Sequence, residues 1–212
     1  MEPDAVEIRV VACLVEKQRT TPDQYPLTLN SLRLACNQST NREPIVDYED
    51  ATIRLALDRL TRRKWATMAS WSTARSVKYK HLLDQALGLS DAQLALMTVL
   101  MLRGEQTAGE LRQRAERIHR FDSGEEVERT LDELTERGLC APLPRRPGER
   151  GRRHRQLLSG AEEEALAPSA VPSAEPPAAS DGIEGRLEAL EGEVAALRGE
   201  LARLREELGA EG

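Results

Sequence analysis

A mainly α-helical fold with small β-hairpins is predicted for this 212-residue chain by three observations. Aromatic residues make up only 3% of the sequence while Leu, Ala, Arg and Glu are frequent, which favours helices over a sheet-dominated fold. Apolar residues then recur at three- and four-residue spacing in successive stretches, each group closing on a short alternating one. Finally, this order of three helices and a hairpin occurs twice. Three helices followed by a hairpin are the winged-helix arrangement. Tandem winged-helix domains are therefore expected over residues 1–87 and 88–160, with a Pro/Ala-rich linker over 161–181 and a coiled-coil helix over 182–212.

Residues 5–18 place Val6, Val10, Cys13 and Leu14 on one helical face, with Glu7, Arg9, Glu16 and Lys17 largely on the other. Thr21, Pro22 and Gln24 start a helical turn that Tyr25-Pro26 interrupts. Thr28 caps a second helix bearing Leu29, Leu32, Ala35 and Cys36, and Asn37 to Pro44 is a turn-rich connection. A third helix buries Ile53, Ala56, Leu57 and Leu60 and ends near Lys64. From Trp65 to Leu83, Val77 and Tyr79 alternate with Lys78 and Lys80 as in a hairpin.

In the second copy, Asp91 to Arg103 turns Leu94, Met97, Thr98 and Met101 inward, Thr107 and Glu110 form a capping box, and Ser123 to Arg137 is the third helix. Ile53, Leu57 and Leu60 match Val127, Leu131 and Leu134 at an offset of 74, and Thr28 and Leu32 match Thr107 and Leu111 at 79. The first copy is thus five residues longer between its second and third helices, and it is the copy that contains NQSTNREP.

CLVEKQRTTPDQYPLTLN, ACNQSTNREP, LMLRGEQTAGELR and the terminal leucine-rich stretch resemble the YceH-like family of bacterial proteins. The resemblance covers residues 5–160 and the short helix at the end. It implies a tandem winged-helix fold and assigns no activity, so no catalytic residue carries over from it.

The net charge of −6 hides an asymmetry. Residues 1–87 hold 13 Lys/Arg against 11 Asp/Glu, residues 88–160 hold 13 against 12, and residues 161–212 hold 4 against 13. The acidity belongs to the tail, which leaves room for a localised basic surface in front of it. In the first copy that surface is expected from Arg54, Arg59, Arg62 and Arg63 on the third helix and Arg75, Lys78 and Lys80 on the hairpin. A solvated Arg54–Asp58–Arg62 ladder at i,i+4 spacing is the plainer reading of the same helix. The second copy has Glu128 and Glu136 where the first has Arg54 and Arg62, which opposes entry into a DNA groove. Its hairpin nevertheless gathers Arg145, Arg146, Arg150, Arg152 and Arg153, suited to phosphate or carboxylate.

In the insertion, Gln38, Asn41 and Arg42 either cap and fold the loop, with Arg42 paired to Glu43, or present amide and guanidinium groups to a partner or a base edge. In the tail, Leu187, Leu190, Val194, Leu197, Leu201, Leu204 and Leu208 keep a heptad rhythm that favours a homodimer, with docking on its own chain as the alternative.

Cys13, Cys36 and Cys140 sit at core-like positions and are read as buried thiols. His81, His119 and His154 show no ligand spacing, and neither a phosphate loop nor a nucleophile constellation is present, so no metal, cofactor or enzymatic activity is expected. No apolar segment approaches the length of a membrane span, and a cytoplasmic protein is expected. The function expected is that of a non-enzymatic, dimeric protein binding double-stranded DNA, of the transcriptional-regulator kind. The alternative is a module that holds protein partners in a larger assembly.

Overall fold

A computed structural model describes residues 2–69, 76–145, 148 and 151–159. The linker and coiled coil expected over 161–212, and Arg75, Arg146 and Arg150 of the two hairpins, lie outside the described residues. The chain begins with α1 (Ala5–Thr20), a 3-10 turn (Pro22–Gln24), β1 (Leu27–Thr28) and α2 (Leu29–Cys36). It continues through α3 (Asp50–Arg62), β2 (Ala66–Met68), β3 (Lys78–His81) and a short α4 (Leu83–Leu87). The same order then returns as α5 (Asp91–Arg103), β4 (Gln106–Thr107), α6 (Ala108–Ala115), α7 (Gly124–Glu136), β5 (Cys140–Pro142) and β6 (Arg153–Gln156).

Local chemistry sets most of these boundaries. Asp4 with Glu7, Ser90 with Gln93 and Thr107 with Glu110 form reciprocal capping boxes at the starts of α1, α5 and α6. Thr28 and Ser123 cap α2 and α7 through single hydrogen bonds to the amides of Ser31 and Glu126. Each third helix leaves through a left-handed residue, Lys64 (φ 62°) in the first copy and Gly138 (φ 67°) in the second. Glycine takes that conformation freely, whereas lysine holds it against a steric cost.

The hairpins are parts of three-stranded antiparallel sheets in the orders β1-β3-β2 and β4-β6-β5. Leu27 faces Tyr79 and Thr28 faces Lys78; in the second copy Gln106 faces His154 and Thr107 faces Arg153. This corrects the expected two-stranded hairpins. Leu27-Thr28 and Gln106-Thr107 are only two residues long, too short for an alternating pattern to reveal a strand. His81 and His154 lie on the central strands and are both buried.

α1 is not the one-sided helix its pattern suggests. Every residue from Glu7 to Val15 is buried, the charged Glu7 and Arg9 included. The reason is tertiary: α1 packs against α2, α3 and β3 of its own copy and also against α5 of the other. α5 is correspondingly buried from Gln93 to Leu102, well beyond the four inward positions expected. The two first helices form the centre of one compact unit that runs to Glu164. All three cysteines are free and buried, as their settings suggest. Among the described residues, no helix is long and apolar enough to cross a membrane.

Candidate nucleic-acid interface

The amphipathic pattern of α3 turns Ile53, Ala56, Leu57 and Leu60 into the core. Ala51, Thr52, Arg54, Leu55, Asp58, Thr61 and Arg62 are left exposed on the other side. Arg54, Asp58 and Arg62 form no ion pair with one another or with any other described residue, so the expected ladder does not close. Both guanidiniums therefore keep their full complement of donors for a ligand. Lys80 is exposed and Lys78 half-buried, both on the face of β3 opposite Tyr79 and His81.

Arg59 and Arg63 point elsewhere. Arg59 pairs with Asp4 at 2.5 Å, and Arg63 pairs at 3.0 Å with Glu7, whose side chain is 2% exposed. Arg63 also lies over the Trp65 ring, 6.0 Å from its centroid. These two arginines join the end of α3 to the capped start of α1, which explains how Glu7 is buried without an uncompensated charge.

In the second copy, a groove of about 590 Å³ between α6 and α7 is lined by Gly109, Arg112, Glu125, Glu128, Arg129 and Asp132. Three carboxylates and two arginines share this wall, a more acidic balance than Arg54, Asp58 and Arg62 give the exposed face of α3. On the second hairpin Arg145 and Arg152 are exposed. Arg153 is drawn inward to Glu110 at 3.2 Å and to the carbonyl of Glu105 at 3.0 Å.

The insertion does not present Arg42 to solvent. The Arg42 side chain is 0% exposed and pairs with Glu16 at 2.6 Å, which replaces the expected pair with Glu43. Its Nε donates to the Ala35 carbonyl at 3.1 Å, and its terminal nitrogens also donate to Gln38 Oε1 and the Asn41 carbonyl. Arg9 reaches the same place from α1, donating to the carbonyls of Cys36 at 3.3 Å and Pro44 at 2.7 Å. The last carbonyls of a helix lack partners within it, and two buried guanidiniums satisfy the last two of α2, those of Ala35 and Cys36. Gln38 is thereby committed to Arg42. Asn41 (φ 61°) is exposed and accepts a hydrogen bond from Arg103 at the end of α5, while the Glu43 amide donates to the Leu102 carbonyl at 2.8 Å. The insertion is thus a staple between the copies, closed at its far end by Asn37, which bonds both the amide and the carbonyl of Tyr48.

Cys13 and Cys36 are buried beside this staple, and the Cys13 thiol donates to the Ala35 carbonyl at 3.5 Å. Sequence reasoning read both as core thiols and missed the cluster they form with Arg9, Glu16 and Arg42. The available signal was helical spacing, which puts Arg9 four residues before Cys13 and Glu16 three residues after it on α1.

A family described as "Protein of unknown function, DUF480" matches residues 4–149. The UPF0502 protein of Azotobacter vinelandii is 43% identical over 189 residues, spanning 88% of this chain and 82% of that relative. The UPF0502 protein of Geobacter sulfurreducens is 47% identical over 157 residues, spanning 73% and 71%. That of Xanthomonas axonopodis pv. citri is 40% identical over 191 residues, spanning 88% and 85%.

Proposed function

Since the chain belongs to the DUF480/UPF0502 family, whose name assigns no activity, we propose from its own surfaces that it is a non-enzymatic, tandem winged-helix protein that binds double-stranded DNA. The observation that carries this reading is the solvent face of α3, where Arg54 and Arg62 stand unpaired two turns apart. A 13-residue helix is about 20 Å long, enough to lie in a major groove. Arg54 suits a guanine edge, Leu55 a thymine methyl, and Arg62 with Lys80 the flanking phosphates. Arg145 and Arg152 of the second hairpin add phosphate contacts, whereas the carboxylates of α7 keep that helix out of the groove.

Binding to mixed genomic duplex fragments at two salt concentrations tests this reading. Affinity is expected to fall steeply with salt through counterion release, and an Arg54→Glu/Arg62→Glu variant is expected to lose it. Absence of binding at low salt removes the proposal. In the same reading the heptad leucines from Leu187 to Leu208 pair two chains, matching two half-sites. Deleting residues 182–212 is then expected to halve the mass in sedimentation, and an unchanged mass would refute the pairing.

A second reading, a protein-interaction module, is favoured by one specific observation. Among the described residues, the large exposed apolar side chains are Leu34 (56%), Ile45 (65%), Leu55 (51%), Met68 (56%) and Val77 (47%), and all belong to the first copy. Binding that survives high salt and is lost on Leu55→Ser would select a protein partner.

A further inference from the structure

We propose that the groove between α6 and α7, with the acidic face of α7 beside it, is a docking surface for a protein segment that carries two basic side chains about 10 Å apart. The proposal goes beyond DNA binding by α3 and stands whether or not α3 binds DNA.

Comparison of the two copies shows where the groove comes from. At the offsets of the repeat, Asn30, Arg33 and Asp50 of the first copy stand where the second has Gly109, Arg112 and Gly124. In the first copy these side chains link α2 to α3. Arg33 Nε meets Asp50 Oδ1 at 2.9 Å, and a terminal nitrogen of Arg33 donates to Asn30 Oδ1 at 3.2 Å. In the second copy both acceptors are gone. Arg112 donates instead to the Asp122 carbonyl at 3.1 Å, and a Cβ at Gly109 or Gly124 would meet nothing within 4 Å. The opening of about 590 Å³ lies where those side chains are missing, and its size falls in the range of about 300–1,000 Å³ typical of ligand sites.

Charge is the second support. Glu125, Glu128, Asp132 and Glu136 recur at three- and four-residue spacing along α7 and are all exposed. None of them forms an ion pair with any described residue. The matching positions of the first copy are Ala51, Arg54, Asp58 and Arg62, so this face is acidic where the first is basic. Within α7 the four carboxylates stand against Arg129 as the single base. Such a face repels phosphate and attracts cationic side chains. Glu125 and Asp132 are seven residues apart, about 10 Å along the helix, a distance that an extended segment spans in about three residues.

A buried side chain behind this face is the third. His154 shares a sheet face with Cys140, whose thiol meets the Leu131 carbonyl of α7 at 3.6 Å, so its ring is turned towards α7. The residue is 6% exposed, and its Nδ1 is buried without a hydrogen-bond partner. Glu128 and Asp132 are the carboxylates whose charge acts on the ring, opposed by Arg152. Buried polar atoms nearly always have partners, and this one lacks a partner beside two carboxylates that lack a cation. A guanidinium seated between Glu128 and Asp132 brings positive charge and several N–H donors in one plane, which favours arginine over lysine in the segment.

The test titrates the 15N-labelled full chain at low salt with a synthetic peptide bearing arginine at every third position, and follows the backbone amides. Saturating shifts centred on Gly109, Gly124, Glu128 and Asp132 are expected, with the His154 ring shifting in step. Gly124→Asp gives Arg112 the acceptor that Asp50 gives Arg33 and places a carboxylate in the first turn of a helix, a setting compatible with folding. This variant is expected to bind the peptide at least tenfold more weakly, because the groove is closed. General attraction to an acidic surface predicts the opposite, since the variant gains a negative charge. Undiminished affinity in a folded Gly124→Asp therefore overturns the proposal. So do shifts confined to the acidic residues 161–212, absence of saturable shifts, or the same amides responding to duplex DNA and not to the peptide.

Discussion

His81 shows how one buried side chain ties stability to pH. Its Nε2 meets Gln18 Oε1 at 2.5 Å and its Nδ1 accepts the Leu83 amide at 3.3 Å, so the ring is neutral when folded. Burial pushes its pKa down to about 4, with Asp84 opposing and Arg19 assisting. The unfolded chain, near the ordinary value of about 6.5, binds more protons between those limits. The contribution is therefore fully present above pH 6.5 and is lost as the pH falls towards 4, by up to about 3 kcal/mol. The second copy carries Gln156 at the matching place, its Oε1 accepting the Leu158 amide at 2.6 Å. His81→Gln is accordingly expected to fold and to flatten the loss of urea resistance between pH 6.5 and 4; an unchanged slope would exclude His81 as its source. The sequence gives no warning of this, because a histidine alternating with lysines reads equally as a surface strand residue.

At the scale of elements, what the sequence reveals and what it hides divide by the range of the interactions responsible. Thr28, Thr107 and Ser123 announce helix starts through hydrogen bonds three residues away, and the buried stripe of α3 follows from its period alone. The destination of Arg42 depends instead on where α2 ends and which carbonyls that end leaves open, 26 residues away from the Glu16 it pairs with. For the same reason Arg54 and Arg62 were legible as exposed, whereas the pairing of Arg59 and Arg63 with the start of α1 was not. The insertion owes its shape to this one side chain. Arg42→Ala leaves Glu16 half-buried without its partner and the Ala35 carbonyl without its donor, a loss of about 3 kcal/mol or more. Arg54→Ala, on the exposed face of the neighbouring helix, is expected to change stability by less than about 0.5 kcal/mol. Chemical denaturation of the two variants side by side measures the contrast, and equal losses would contradict the staple.

For the whole described unit, the repeat suggests two independent halves, but the packing joins them. α1 lies against α5, Arg19 pairs with Asp91, Asn41 with Arg103, and the Glu43 amide with the Leu102 carbonyl. The periodicity of α1 could not reveal this, since a second covering partner lies outside any local window. One cooperative thermal transition for residues 1–164 is expected in calorimetry, with calorimetric and van't Hoff enthalpies equal; two resolved transitions would show that the halves melt separately.

First-helix packing also turns the repeat into a ruler. Domains on a slack tether sample many separations, and the tether's length sets which ones a ligand can use. Here α1 against α5 fixes the distance between the solvent faces of α3 and α7, so a ligand touching both meets them at a single pitch. The spacing of the two faces is thus set in the core, where α1 meets α5, with the Asn37–Pro44 loop holding the same joint from outside.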